Sequence, residues 1–145
     1  MRRLFHGRMI TVDGHMRRMD ENYNKYVILT DSGQGFALEN KVRENNPVVG
    51  KKIEWSPNNT RLTIFVPIKA NYTYVCKPTS DAYLIYIGLY DTNERFVRNQ
   101  DTGWQPSINF TPEIDGYFYF TIRNASNPDA LMFPGEVGGI VTKEE

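Results

Sequence analysis

Asp115-Gly116-Tyr117-Phe118-Tyr119-Phe120-Thr121-Ile122-Arg123 is the stretch whose reading decides the fold. Successive side chains of a β-strand point to opposite faces, so Phe118, Phe120 and Ile122 share one side, and Tyr117, Tyr119, Thr121 and Arg123 share the other. The phenylalanine side is a core face. Asp115-Gly116 supplies the turn that launches the strand. Residues 83–90 alternate in the same way, with Ile85, Ile87 and Leu89 against Leu84, Tyr86, Gly88 and Tyr90. That second set is amphipathic and suits solvent, a ligand or a neighbouring chain. Asp91-Thr92-Asn93-Glu94 follows as a hairpin loop of Asx turn chemistry, which argues for antiparallel pairing.

Working outward, residues 52–55, 61–66, 72–77, 95–97 and 108–111 are further short runs rich in β-formers, separated by Pro, Gly, Asn and Asp. With 83–90 and 117–123 they predict an all-β fold, an antiparallel β-sandwich or barrel. Helical periodicity is confined to two short candidates, 20–25 and 38–45. Residues 1–50 are more polar and irregular. Within them Met9-Ile10-Thr11-Val12 and Tyr26-Val27-Ile28-Leu29 are brief strands suited to pair as a hairpin, ended by turns at Asp13-Gly14 and Asp31-Ser32-Gly33. A lone hairpin is marginal in water, so this segment must lean on the main domain or on another subunit. The organisation expected is an irregular N-terminal arm or hairpin over 1–50, serving assembly, and a β-sandwich over 51–145.

Composition narrows the function. The 145 residues are 40% hydrophobic and 23% charged, a folded rather than a disordered or membrane-spanning balance. Seventeen basic and seventeen acidic side chains cancel, so no net field draws the chain onto nucleic acid or an anionic membrane, and neither is expected as a partner. Arg2, Arg3, Arg8, Arg17 and Arg18 bunch near the start and are assembly candidates for contact with a partner subunit. Cys76 is the sole cysteine, which excludes an internal disulfide and a Cys-rich zinc site; inside a strand run it reads as a small buried thiol. No apolar segment suits a secretory signal or a membrane span, so synthesis in a cytoplasm is expected.

The inventory for chemistry is thin. His6 and His15 lack spaced metal-ligating partners. Asp91, Asn93 and Glu94 invite a calcium reading, but Arg95 follows at once and a hydrogen-bonded turn accounts for them. Gly138-Gly139 reads as a flexible doublet, and nothing sets Glu54, Glu113 and Glu136 opposite each other as a glycosidase pair. No catalytic residue, metal or cofactor is therefore expected, and the chain is read as a binder rather than an enzyme. Its nine tyrosines and two tryptophans are the more informative feature, because sugars lay their apolar face on exposed rings beside polar groups. On the average behaviour of aromatics in a sandwich, Trp55 and Trp104 are placed in the core. Candidate saccharide contacts are Tyr86, Tyr90, Asn93, Arg95, Trp104 and Arg123, which sheet neighbours and adjoining loops would bring together.

One succession of motifs carries a resemblance. Val66-Pro67-Ile68-Lys69-Ala70-Asn71-Tyr72-Thr73-Tyr74 is followed by a long strand ending Leu89-Tyr90-Asp91, an Asn turn and Phe96. Then come Thr102-Gly103-Trp104, Phe110-Thr111-Pro112, Asp115-Gly116 with its aromatic strand, and Phe133-Pro134-Gly135-Glu136-Val137. In that order the motifs resemble a domain recurring in tail, baseplate and other virion structural proteins of phages of Gram-positive hosts. Asn71 stands where that family usually has glycine, and asparagine tolerates the left-handed backbone. The family is similar to carbohydrate-binding modules with a galactose-binding-like jelly roll. The resemblance therefore implies a virion protein, made in the bacterial host cytoplasm and partnered by other virion proteins and by copies of itself, as a trimer or higher. It leaves two roles open: attachment to host cell-wall polysaccharide, or capsid decoration or a head-fibre base with no glycan binding.

Overall fold

A computed structural model describes residues 8–12, 15–19, 26–28, 33–38, 40–44, 47–100 and 102–144. In chain order its strands are β1 (Arg8–Val12), β2 (His15–Met19), β3 (Tyr26–Ile28), β4 (Gly33–Ala37), β5 (Val42–Glu44), β6 (Trp55–Pro57) and β7 (Leu62–Ile68). They continue with β8 (Thr73–Pro78), β9 (Tyr83–Asp91), β10 (Phe96–Asn99), β11 (Ile108–Phe110), β12 (Gly116–Asn124) and β13 (Gly138–Glu144). No helix occurs among the described residues. One sheet has the order β1-β2-β3-β7-β12-β9-β10, a second β11-β8-β13-β4, and β5 pairs β6 apart from both. Among the described residues every pairing is antiparallel except that of β3 with β7, which run parallel with Tyr26 opposite Phe65. The chain is an all-β antiparallel β-sandwich.

The alternation of residues 117–123 positions the core as expected. Phe118, Phe120 and Ile122 of β12 lie beside Ile85, Ile87 and Leu89 of β9 and Leu62, Ile64 and Val66 of β7, all fully buried. Tyr74, Cys76, Phe110 and Val141 meet them from the second sheet. Ring pairs cross the gap between the sheets: Phe36–Phe120 at 5.3 Å, Tyr74–Phe118 at 5.5 Å and Phe110–Phe118 at 4.9 Å between centroids. Each such buried side chain contributes about 1.5–3 kcal/mol. The Cys76 thiol is enclosed there, and burial pushes its ionisation up.

Local signals explain the connections. The Asp91 carboxylate accepts the backbone N–H groups of Asn93 (2.8 Å) and Arg95 (2.9 Å), closing the β9–β10 turn that the aspartate and asparagine announced. Asn71 holds φ at 72°, the left-handed conformation expected for it. Asn58 and Asn124 open Asx turns, accepting from Thr60 and from Ser126 and Asn127.

Six expectations need correcting. Of the two helix candidates, 20–25 lies outside the described residues, and residues 38 and 40–44 contain no helix: Val42 and Glu44 are the buried positions of β5 on either side of the exposed Arg43, and Leu38 is buried ahead of it. The first and second apolar runs of the N-terminal segment do not pair with each other, because β2 lies between them and pairs with both. Gly138-Gly139 is not a flexible doublet but the start of β13. A Cβ on Gly139 would stand 2.7 Å from the Phe120 ring and 2.8 Å from that of Phe36, so the missing side chain lets two core rings meet. The run at 52–55 contributes Trp55 to β6, while Lys52 makes only an isolated bridge to Arg95. Trp55 and Trp104 are half-buried and lie outside the main core. Sheet pairing also crosses residue 50: β4 pairs β13, and Phe36, Leu38 and Val42 are buried apolar side chains. The sandwich thus includes β4, with Leu38 and residues 40–44 packed against it, and Arg2 and Arg3 lie outside the described residues.

Candidate functional site

The side of β7, β12, β9 and β10 that faces away from the second sheet is a grid set by register. Tyr119 lies opposite Phe65 and Gly88, and Gly88 opposite Asn99; Thr121 lies opposite Thr63 and Tyr86. Arg61 and Arg123 continue the same alternation two residues beyond Thr63 and Thr121. At one end of this face Phe65, Tyr90, Phe96 and Tyr119 form a second, smaller core with Ile53, and Trp55 and Tyr117 pack against it. Glu44, Ile53 and Trp55 cover that end. The other end stays open as a cleft of about 240 Å³ lined by Arg43, Glu44, Arg61, Tyr86, Asn99, Trp104 and Thr121, with Pro47 at its rim and Tyr90 and Tyr119 beneath.

The floor of the cleft is a polar network on an apolar base. Tyr90 donates its hydroxyl to Glu44 Oε2 at 2.6 Å, and Glu44 Oε1 accepts the backbone N–H of Glu54 at 3.2 Å. The Glu44 backbone N–H donates in turn to the Tyr119 hydroxyl at 3.0 Å. Glu44 is 5% exposed, so its carboxylate is held by donors where no water would do so. Burial first, and the Glu44 carboxylate second, push the Tyr90 phenol far above the ordinary tyrosine range; burial raises Tyr119 as well. Thr63 and Thr121 share a 2.7 Å hydrogen bond at the next step up the sheet.

The upper wall is built by the loop after β10. Gln105 bridges Ile85 through both backbone groups (3.0 and 2.8 Å), which fixes the loop along the β9 edge, and Gly103 takes a φ of 73° to make the bend. Trp104 therefore stands beside Tyr86, with ring centroids 5.6 Å apart. The guanidinium carbons of Arg61 and Arg123 each lie 5.0 Å from the Trp104 ring centroid. Such cation–π contacts hold the arginines over the indole. Gly88 leaves room in the cleft: a Cβ there would come within 3.0 Å of Asn99 Oδ1.

Of the saccharide candidates, the structure brings Tyr86, Tyr90, Trp104 and Arg123 to this one region. Tyr90 is only 1% exposed and serves as floor rather than as a stacking surface. Asn93 and Arg95 lie at the far end of the hairpin, in a separate shallow depression with Lys52 and Thr92. Arg95 there donates to the Gly50 carbonyl at 3.0 Å. Arg8, Arg17 and Arg18 sit on β1 and β2, away from the cleft in strand order. Sequence reasoning missed Arg43, Glu44, Arg61, Asn99, Tyr119 and Thr121. Alternation was a usable signal for Tyr119 and Thr121, which share the face of Arg123; no local pattern announces Arg43 or Glu44. The glutamates weighed as a glycosidase pair have separate partners: Glu113 a bidentate bond with Arg98, Glu136 the Tyr83 hydroxyl, and Glu54 the Lys51 ammonium.

Comparison of the chain with protein-family models, with curated proteins and with solved structures returns no match. The functional reading therefore rests on the cleft and on the motif order.

Proposed function

We propose that this chain is a non-enzymatic, saccharide-binding β-sandwich module of a phage virion, related in kind to carbohydrate-binding modules of jelly-roll form. The observation that carries the reading is the cleft itself, where two aromatic rings, an amide and three guanidinium groups converge on an otherwise packed sheet face. Its volume lies below the ~300 Å³ at which drug-sized pockets begin, a size that suits a single sugar residue at a chain end. Rings next to hydrogen-bonding groups are what a pyranose requires. The virion setting is supported by the succession of motifs from Val66 to Val137. Copies acting together, as a trimer or higher, would convert weak single-site contacts into firm attachment.

The test is an array of bacterial cell-wall glycans probed with the oligomerised chain. Binding that is lost in Trp104→Ala, while the melting temperature is kept, is the expected result. Absence of binding even with avidity restored would overturn the reading.

One observation favours a second role, a capsid decoration or head-fibre base protein that only docks. β1, β2 and β3 extend the large sheet beyond β7 and, among the described residues, are joined to it with Tyr26 opposite Phe65. That ribbon carries Arg8, Arg17 and Arg18, and suits contact with a neighbouring virion subunit.

A further inference from the structure

The cleft gathers three guanidinium groups around one lining carboxylate, Glu44, with Asp129 acting on Arg61 from nearby. Arg43 and Arg61 line it, and Arg123 stands over the same indole as Arg61. Arg61 feels its neighbours: burial first, then the charges of Arg123 and Arg43, lower its affinity for a proton. Like charges so close repel one another, and a bound anion would offset that repulsion where a neutral sugar would not.

The hydrogen bonds of the three groups run to neutral acceptors. Arg61 Nη1 donates to the carbonyls of Thr60 and Pro128, both at 2.9 Å, and to Thr60 Oγ1 at 3.1 Å. Arg123 Nη1 donates to the Asn124 carbonyl at 2.8 Å, and Arg43 Nε to the Glu44 carbonyl at 3.4 Å. None of the three forms an ion pair among the described residues. The carboxylate that lines the cleft, Glu44, is already engaged by the Tyr90 hydroxyl and the Glu54 N–H. Each guanidinium carries five N–H donors in a planar fork, so donors remain on all three. Their position over Trp104 also changes its role: the indole orients arginines, leaving Tyr86 and Asn99 to meet a sugar ring and its hydroxyls, while the Thr121 hydroxyl is buried and bonded to Thr63 and the Leu62 carbonyl.

We infer that the cleft recognises an anionic saccharide, its carboxylate or phosphate group taken by Arg61, Arg123 and Arg43. This inference rests on the saccharide-binding reading above and specifies its ligand. Guanidinium forks match the geometry of both acid groups, and such charge-assisted bonds are about twice as strong as neutral ones.

The experiment uses the full chain against a set of neutral, uronate-bearing and phosphate-bearing oligosaccharides, measured by biolayer interferometry at several salt concentrations. Acidic glycans should bind at least about tenfold more tightly than neutral ones. That preference should shrink as added salt screens the charges, and the uronate and phosphate arms tell which acid group is read. Arg61→Gln and Arg123→Gln should each remove most of the preference; Arg61→Lys, which keeps the charge and the stem, guards against a folding defect and should retain part of it. Equal binding of neutral and acidic glycans, unmoved by salt or by these substitutions, overturns the inference but leaves the saccharide reading standing. Failure of every glycan to bind the folded chain overturns both.

Discussion

Three residues without side chains shape what surrounds them. Gly139 allows Phe36 and Phe120 to meet edge to face inside the core, and Gly116 lets β12 begin against the backbone of Tyr90, where a Cβ would stand 2.0 Å from the carbonyl oxygen. Gly88 opens space for the Asn99 amide. Gly139→Ala should therefore overpack the core and cost about 1–3 kcal/mol, read by urea or thermal unfolding. Gly116→Ala should cost more, since backbone rather than a ring must yield. Gly88→Ala should be nearly neutral for stability, because the atom it meets is the movable end of an amide. Equal costs at the three positions would contradict this ordering. Glu44 makes the complementary point: a charged residue is buried in the smaller core because two donors meet it there.

At the scale of elements, the N-terminal segment divides differently from its composition. Among the described residues β1 and β2 pair with each other and with β3, whereas β4, β5 and the residue after β4 bring Phe36, Val42, Glu44 and Leu38 into buried positions. Removal of residues 1–20 should leave thermal unfolding close to that of the full chain. Removal of 1–50 strips three buried apolar side chains, worth about 1.5–3 kcal/mol each. It also leaves the Tyr90 hydroxyl buried without its acceptor, at about 1–3 kcal/mol more. Against a total stability of about 5–15 kcal/mol, the 51–145 fragment should be unfolded or insoluble. Circular-dichroism melting of both truncations checks this; a 51–145 fragment as stable as the full chain would contradict it. The shorter truncation is also the proper test of assembly, because loss of incorporation into particles can then be assigned to the ribbon rather than to misfolding.

For the molecule as a whole, the predicted pH response is alkaline. Burial holds the Cys76 thiol and the Tyr90 and Tyr119 phenols above their ordinary values of 9.0 and 10.0, so each stays protonated in the fold after it ionises in the unfolded chain. A group whose folded value is raised contributes stability that is complete below its unfolded value and lost as pH rises. Stability should thus fall from pH 9 upward and more steeply from pH 10, with a slope approaching about 1.4 kcal/mol per pH unit for each group. Cys76→Ala should delay the first decline to near pH 10, as urea midpoints across the range would show; an unchanged onset would remove the thiol from the account. The sequence by itself determined the all-β class, the core face of residues 117–123, the turn at Asp91 and the left-handed Asn71. These follow from alternation and turn chemistry, which act over a few neighbouring residues. It did not determine that Gly138-Gly139 starts a strand, that residues 42–44 form one rather than a helix, or that Arg43 and Glu44 line one cleft with Arg61 and Trp104. Those were decided by tertiary structure, because pairing between strands and the filling of a core join residues more than a hundred positions apart, as Gly33 opposite Thr142, and only at contact do space and compensating charge select among local options.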